Sequence, residues 1–297
     1  MGQRQSIEDY LHGLFTAFGQ IFFQNNALCG LYVIGGIALN SLTMLVGGLL
    51  GAAVAQFVAG YLIVDDTYRR EGGYGFNGAL LGLACSYFYP VELVTFGLIV
   101  LVSLAATLLQ YYWQRRTEIA CYTAPFVVLF WLLLALFDPA ESIADSAAVA
   151  IGTPSPDLIS AIFNSLGQVC FQQNPISGLL FWVGISLGSL RAGLWVIAAG
   201  ALSTLFGWLL GLDSAVIESG FYGFNPVLLA LGCLQWKGLR QRKELILVLM
   251  LLIALSLLLM LLFKAMGVVA VTAPFVLSLW LVSGCVGWSR AAGLKYT

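Results

Sequence analysis

The phrase YGFNGALLGLA (Tyr74 to Ala84) returns as YGFNPVLLALG (Tyr222 to Gly232), 148 positions later (222 − 74). Two further phrases return in the same order. GQIFFQNN (Gly19 to Asn26) recurs as GQVCFQQN (Gly167 to Asn174) at the same offset, and CYTAPFVVLFWL (Cys121 to Leu132) recurs as AVTAPFVLSLWL (Ala270 to Leu281) at an offset of 149 (272 − 123). Gln, Asn and Pro are too scarce here for chance to repeat them in order, so the chain is internally duplicated. Each half must then build the same elements.

The solvent for those elements follows from composition. Of 297 residues, 60% are hydrophobic and only 9% are charged, whereas soluble domains carry about 25% charged residues. Too few charges remain to coat a soluble core, so the reading is a polytopic membrane protein. The net charge of −1 leaves no nucleic-acid footprint. The opening MGQRQSIEDYLHGLF is not expected to be a signal peptide, because Glu8, Asp9 and His12 interrupt the place of its apolar core. Met1-Gly2 is read as a start rather than a myristoylation signal. The cysteines, Cys29, Cys85, Cys121, Cys170, Cys233 and Cys285, form no CxxC pair and read as small hydrophobes. With His12 the sole histidine, neither a metal nor any other cofactor is expected.

Each half divides into six segments, at roughly 6–24, 27–40, 41–64, 73–88, 93–112 and 118–137, then 157–172, 175–190, 193–211, 221–235, 245–263 and 268–288. The first repeat is placed at 1–137, an acidic, proline-bearing extracytoplasmic linker at 138–157, and the second repeat at 158–297. The first segment of each half mixes polar residues among apolar ones and falls short of the roughly 20 apolar residues of a clean span. Both are expected to be re-entrant half-helices. Each half then has five spans, and an odd number inverts the second half. With the N-terminus cytoplasmic, inside loops hold Arg4, Arg69, Arg70, Arg115, Arg116, Arg191, Lys237, Arg240, Arg242, Lys243, Arg290 and Lys295, and only Lys264 lies outside. That is the charge bias of inserted membrane proteins. Making the fourth segments re-entrant instead moves Arg69, Arg70 and Arg191 outside and weakens it. The expected fold is an all-α polytopic membrane protein of two inverted repeats, each five transmembrane helices plus one re-entrant half-helix. The pore lies at the repeat interface, and both termini are cytoplasmic.

Inverted repeats show a crossing solute the same surface twice. Phe76 and Leu80, matched by Phe224 and Leu228, are spaced by four and share a helix face. Phe23 and Phe171 follow Gln20 and Gln168 by three, which puts each Phe beside its Gln on a helix. Aromatic rings and Leu make flat, water-poor walls suited to a thin planar solute; the competing reading is core or lipid-facing aromatics. Gln20 and Gln168 carry amide donors and an acceptor, and Thr123 and Thr272 carry hydroxyls. The competing role for each Thr is back-bonding to its own helix. Pro125 and Pro274 are expected to free the carbonyls of Cys121 and Ala270. Duplicated Asn77 and Asn225, and Asn26 and Asn174, are read as structural. Glu92, Glu118, Asp213 and Glu218 all fall at segment ends, so no buried acid is available to couple a pump. No Walker A phrase, Ser–His–Asp set or HExxH motif is present, which argues against a nucleotide engine and a membrane-embedded enzyme. Passive conduction of a neutral solute remains.

The phrases GQIFFQNNALCG with GQVCFQQNPISG, GYGFNGALLG with GFYGFNPVLLALG, and the two TAPF motifs resemble the urea transporter family, in its order, from residue 19 to residue 275. The resemblance implies a bacterial inner-membrane homotrimer, one pore per protomer, and channel-like passive urea permeation. Its partners would be urea, small urea analogues and the bilayer, with no nucleic acid. It implies a narrow filter bordered by Gln20–Phe23 and Gln168–Phe171, with Phe76, Leu80, Phe224 and Leu228 as slot walls and Thr123 and Thr272 at the central constriction. The sequence departs from that pattern at Ile119-Ala120 and Val268-Val269, at Ala27 opposite Pro175, and at Pro226 opposite Gly78. A channel for another small neutral solute, such as a short amide, ammonia or water, is the alternative.

Overall fold

Side-chain caps start most of the helices, and the caps are duplicated along with the phrases. In the computed structural model, which describes residues 6–62, 64–139, 156–236 and 242–285, α1 (Ile7–Gln20) begins where the Ser6 hydroxyl accepts the Asp9 N–H. Asn26 caps α2 (Ala27–Asn40) by accepting from Leu28 and Cys29, and Ser41 caps α3 (Leu42–Ala59). Asp65 caps the short α4 (Asp66–Arg70), and α5 (Gly75–Phe88), α6 (Leu93–Arg116) and α7 (Ala124–Leu136) complete the first half. The second half repeats the order. It comprises α8 (Leu158–Gly167), extended by a 3-10 turn (Gln168–Cys170), then α9 (Pro175–Gly188), α10 (Leu190–Leu209) and α11 (Ser214–Glu218). It ends with α12 (Phe224–Leu234), α13 (Arg242–Ala265) and α14 (Ala273–Cys285). Asn174, Ser189 and Asp213 cap α9, α10 and α11 as their counterparts do. These caps satisfy N–H groups that a helix start leaves without partners. Among the described residues there is no strand.

Helix length departs from the expected segments. Among the described residues, four helices are long and apolar enough to cross a membrane: Leu42–Ala59, Leu93–Arg116, Leu190–Leu209 and Lys243–Ala265. The other apolar helices are shorter, so length does not single out α1 and α8 as the half-length pair. Caps at Asn26, Ser41, Asn174 and Ser189 set the limits of α2 and α9, close to the ends of the expected segments. The linker stretch 140–155 lies outside the described residues, as do Arg4, Lys237, Arg240, Arg290 and Lys295 of the charge argument.

Glycines let the helices close on one another. A Cβ at Gly51 would lie 2.0 Å from the Gly78 carbonyl oxygen, and one at Gly82 would lie 2.0 Å from that of Gly47. Gly47 and Gly51 on α3 thus face Gly78 and Gly82 on α5, the close small-residue crossing that substitutes for the hydrophobic effect in lipid. The halves meet along α2 and α9. Ser177 donates to the Gly36 carbonyl at 2.7 Å, and the Phe22 and Phe181 rings lie 5.4 Å apart. Asn40 Nδ2 donates to Gln172 Oε1 at 2.9 Å. The main buried core is continuous through both halves.

Candidate functional site

The two TAPF motifs meet. Thr123 Oγ1 lies 2.7 Å from Thr272 Oγ1, both side chains buried, so each duplicated hydroxyl has the other as its partner. Neither bonds back into its own helix. The helices start here: Thr123 is the N-cap of α7, and Pro125 sits in the first turn. Proline there removes a donor that had no helical partner anyway. The expectation that Pro125 and Pro274 free the carbonyls of Cys121 and Ala270 is therefore corrected. Cys121 O accepts the Ala124 N–H at 2.9 Å, and Ala270 O accepts the Ala273 N–H at 3.0 Å.

The approach to each threonine is strained in the same way. Tyr122 has φ 47° and its counterpart Val271 has φ 40°. Left-handed backbone is uncommon outside glycine, and for a β-branched residue such as Val it is a true outlier. Such strain persists only where surrounding contacts over-determine it. Those contacts are the duplicated asparagines. Asn77 Nδ2 donates to the Tyr122 carbonyl at 3.3 Å, and its Oδ1 accepts the Phe126 N–H at 3.3 Å. Asn225 does the same with the Val271 carbonyl at 3.2 Å and the Phe275 N–H at 3.1 Å. Both asparagines are fully buried. Gln110 extends the first clamp, accepting from Asn77 at 2.9 Å, where the second half offers Met260 sulfur. The structural reading of Asn77 and Asn225 fits this geometry, and so does that of Asn26 and Asn174 as caps.

Phe23 and Phe171 are the other strained pair, at φ 57° and 60°. The relation expected for them, each Phe beside its Gln on a helix, is corrected. The Phe23 N–H bonds Gln20 O at 3.0 Å and the Gln24 N–H bonds Gly19 O at 3.0 Å. The second half repeats this, with Phe171 to Gln168 at 3.1 Å and Gln172 to Gly167 at 3.0 Å. Both are Schellman closures, and each sets a phenylalanine where glycine ordinarily sits. A side chain there costs about 1–2 kcal/mol relative to right-handed backbone, so both turns carry strain to aim a ring. Buried Gln24 and Gln172 hold the turns by donating to the carbonyls of Phe22 and Cys170 at 3.1 and 2.7 Å. Gln20 and Gln168 are oriented alike: Nε2 donates to Glu71 O at 2.9 Å in one half and to Ser219 O at 3.1 Å in the other. Each amide oxygen is thereby turned away from that bond as an acceptor.

The rings cross between halves. Phe23 lies 6.0 Å from Phe275, and Phe171 lies 6.3 Å from Phe126. Tyr122 closes the first group, 6.1 Å from Phe23 and 5.5 Å from Phe275. Tyr87 and Phe88 flank Phe171 at 5.6 and 6.1 Å. Each half's turn aromatic thus packs on the TAPF ring of the other. Phe76 and Leu80 share α5, and Phe224 and Leu228 share α12. Phe76 is half-buried, Leu80 and Leu228 are buried, and Phe224 packs beside Phe221 at 6.0 Å. They connect to the threonines through Asn77 and Asn225, which directly follow Phe76 and Phe224. Sequence reasoning missed Phe126, Phe275, Tyr122, Val271, Gln24 and Gln172 as parts of the site. The first four sit inside the TAPF repeats and the last two inside GQxxFQ, so position within a duplicated phrase was the available signal.

Among the described residues the one buried charged side chain is Arg69, which pairs with Asp66 at 2.8 Å in α4. No group of metal-ligating residues occurs among them, and Cys29, Cys85, Cys121, Cys170 and Cys233 are free and buried. An all-helical chain with spanning-length apolar helices, and an uncharged polar seam where its like halves meet, is an integral membrane protein. The urea transporter family model matches residues 11–287, and the chain belongs to that family of transport proteins. It is 22% identical to Urea transporter 1 of Rattus norvegicus over 253 residues, covering 77% of this chain and 63% of that protein. It therefore spans less than two-thirds of the length of that curated relative. The family resemblance carried by the duplicated phrases is thus confirmed.

Proposed function

We propose that this protein conducts urea passively, down its gradient, through a narrow passage along the seam between its halves. The observation that carries this reading is the hydroxyl pair of Thr123 and Thr272, flanked by two strained, cross-packed aromatic turns. Urea is planar and neutral, with four N–H donors and one strong acceptor. Stripping its water without replacement costs several kcal/mol. Two hydroxyls that spend one donor and one acceptor on each other keep one donor and three lone-pair sites. The Gln20 and Gln168 oxygens add acceptors, and aromatic faces receive N–H groups for a modest gain. Such a set replaces urea's water yet lets it leave. The N-termini of α7 and α14 converge on the hydroxyl pair, and their positive dipole ends oppose cations there.

In this reading Gln20–Phe23 and Gln168–Phe171 border the filter. Phe76, Leu80, Phe224 and Leu228 are its walls, and the threonines are its constriction. Residues 1–137 and 158–297 form inverted repeats joined by the extracytoplasmic linker 138–157, each with five crossings and α1 or α8 re-entrant. The short helices cross together with flanking turns that protein covers. Both termini are cytoplasmic, and the protein is a homotrimer of a bacterial inner membrane, as the resemblance implies. Stopped-flow light scattering of proteoliposomes with urea, thiourea, formamide, glycerol and water tests the assignment. Urea should lead the panel. Equal or faster permeation of formamide, glycerol or water would assign the passage to another neutral solute.

A further inference from the structure

Two tryptophans outside the filter tie each half to the other. Trp131 on α7 lies about two turns beyond Thr123, and Trp280 on α14 holds the same place after Thr272. Trp131 Nε1 donates to the Val269 carbonyl at 2.8 Å, and Trp280 Nε1 donates to the Ala120 carbonyl at 2.8 Å. Each bond runs from one half's helix to the other half's loop, and each accepting residue lies three positions before that loop's threonine. The bonds are as symmetric as the hydroxyl contact between them. Both indoles are braced: Trp280 stacks on Trp113 at 5.3 Å and 11°, and Trp131 leans on Phe263 at 5.6 Å. Trp113 Nε1 also holds the first loop, at Ile119 O and 2.8 Å.

The setting makes these bonds hard to replace. Of the accepting residues, Ala120 is buried and Val269 is apolar and partly exposed. A backbone carbonyl there has no ready water donor in a bilayer. The loops also carry the left-handed Tyr122 and Val271, whose backbone needs external restraint. The asparagine clamps restrain each loop from its own half. The indole bonds restrain each loop's backbone from the opposite half, beside the Tyr122–Phe275 ring contact and the hydroxyl pair itself, and that is the direction that sets how far apart the two hydroxyls stand.

We propose that Trp131 and Trp280 are reciprocal positioning residues that fix the width of the constriction between Thr123 and Thr272, and so its discrimination between urea and bulkier analogues. The inference rests on the reading of the seam as a solute passage. The test uses Trp131→Phe, Trp280→Phe and the double variant, which keep an aromatic ring and lose the N–H. Two readouts are taken on the full chain: hydrogen exchange of the loop amides, and the thiourea-to-urea permeability ratio in proteoliposomes. Trp131→Phe should speed exchange around Val271 and Thr272, and Trp280→Phe around Tyr122 and Thr123, each in the opposite half. The permeability ratio should rise about two- to tenfold for each, the scale of one lost hydrogen bond. Unchanged exchange at the opposite loop would overturn the inference. Faster exchange or lower thermal stability with an unchanged ratio would also overturn it, leaving the indoles as struts alone. If the wild-type protein passes neither solute, the passage reading fails, while the exchange arm still reports whether the indoles hold the loops.

Discussion

Removing one threonine hydroxyl should harm this protein's stability more than removing both. Thr123 and Thr272 are 5% and 3% exposed and partner each other at 2.7 Å. Thr123→Val nearly preserves shape, but it leaves the Thr272 hydroxyl buried without its partner. An orphaned buried polar group costs about 1–3 kcal/mol, whereas replacing both partners by apolar groups of like shape is nearly neutral. Each single variant should therefore melt several degrees below wild type, on the scale of about 2–4 °C per kcal/mol. The double Val variant should recover most of that loss. Permeation should run the other way. Losing one acceptor raises the barrier by about 0.5–1.5 kcal/mol, a two- to tenfold slowing. Losing both should slow urea further, since no hydroxyl then replaces its water. The assay is a double-mutant cycle read twice: apparent melting by intrinsic fluorescence in detergent, and urea flux at matched protein density. Additive melting losses would refute the hydroxyl pairing. Single variants that assemble and conduct at the wild-type rate would refute the constriction.

Other positions give independent checks. At Phe171, φ 60° favours glycine, so Phe171→Gly should be more stable than Phe171→Ala by about 1–2 kcal/mol, although both lose the ring and should admit bulkier solutes; comparative melting and a thiourea flux measure the two effects. Asn225→Leu strips the Phe275 N–H and the Val271 carbonyl of their partner, and each unpaired buried group costs about 1–3 kcal/mol. A variant that melts with wild type would remove Asn225 from the clamp. For topology, a cysteine at Ser142 should label from outside and one at Gln241 from the cytoplasm, both positions lying outside the described residues. Labelling of both from one side would overturn the inverted arrangement.

The duplication was legible because it is written in residue identity, and it named Thr123, Thr272, Gln20, Gln168, Phe23 and Phe171 by recurrence. Their geometry was not legible in the same way. A left-handed Phe23 leaves no sequence mark, because the usual signal is glycine and here a ring occupies the place. The start of α7 at Ala124 was hidden by an apolar run from Cys121 onward. Pro125 was the clue, since proline fits a first turn and breaks a helix interior. The cross-half bonds of Trp131 and Trp280 depend on two segments 149 residues apart meeting (280 − 131), although both tryptophans recur at the offset of the threonines. The divisions of α2 from α3 and of α9 from α10 were legible, because Ser41 and Ser189 stand at or beside the expected segment ends.

The central claim is that urea crosses passively along an uncharged seam. Urea uptake into proteoliposomes, measured with and without imposed proton and sodium gradients, tests it most directly. The account predicts equilibration faster than in empty vesicles, at the same rate under every gradient, and ending at equal concentrations inside and out. Accumulation of urea above the outside concentration, or entry no faster than in empty vesicles, would contradict it.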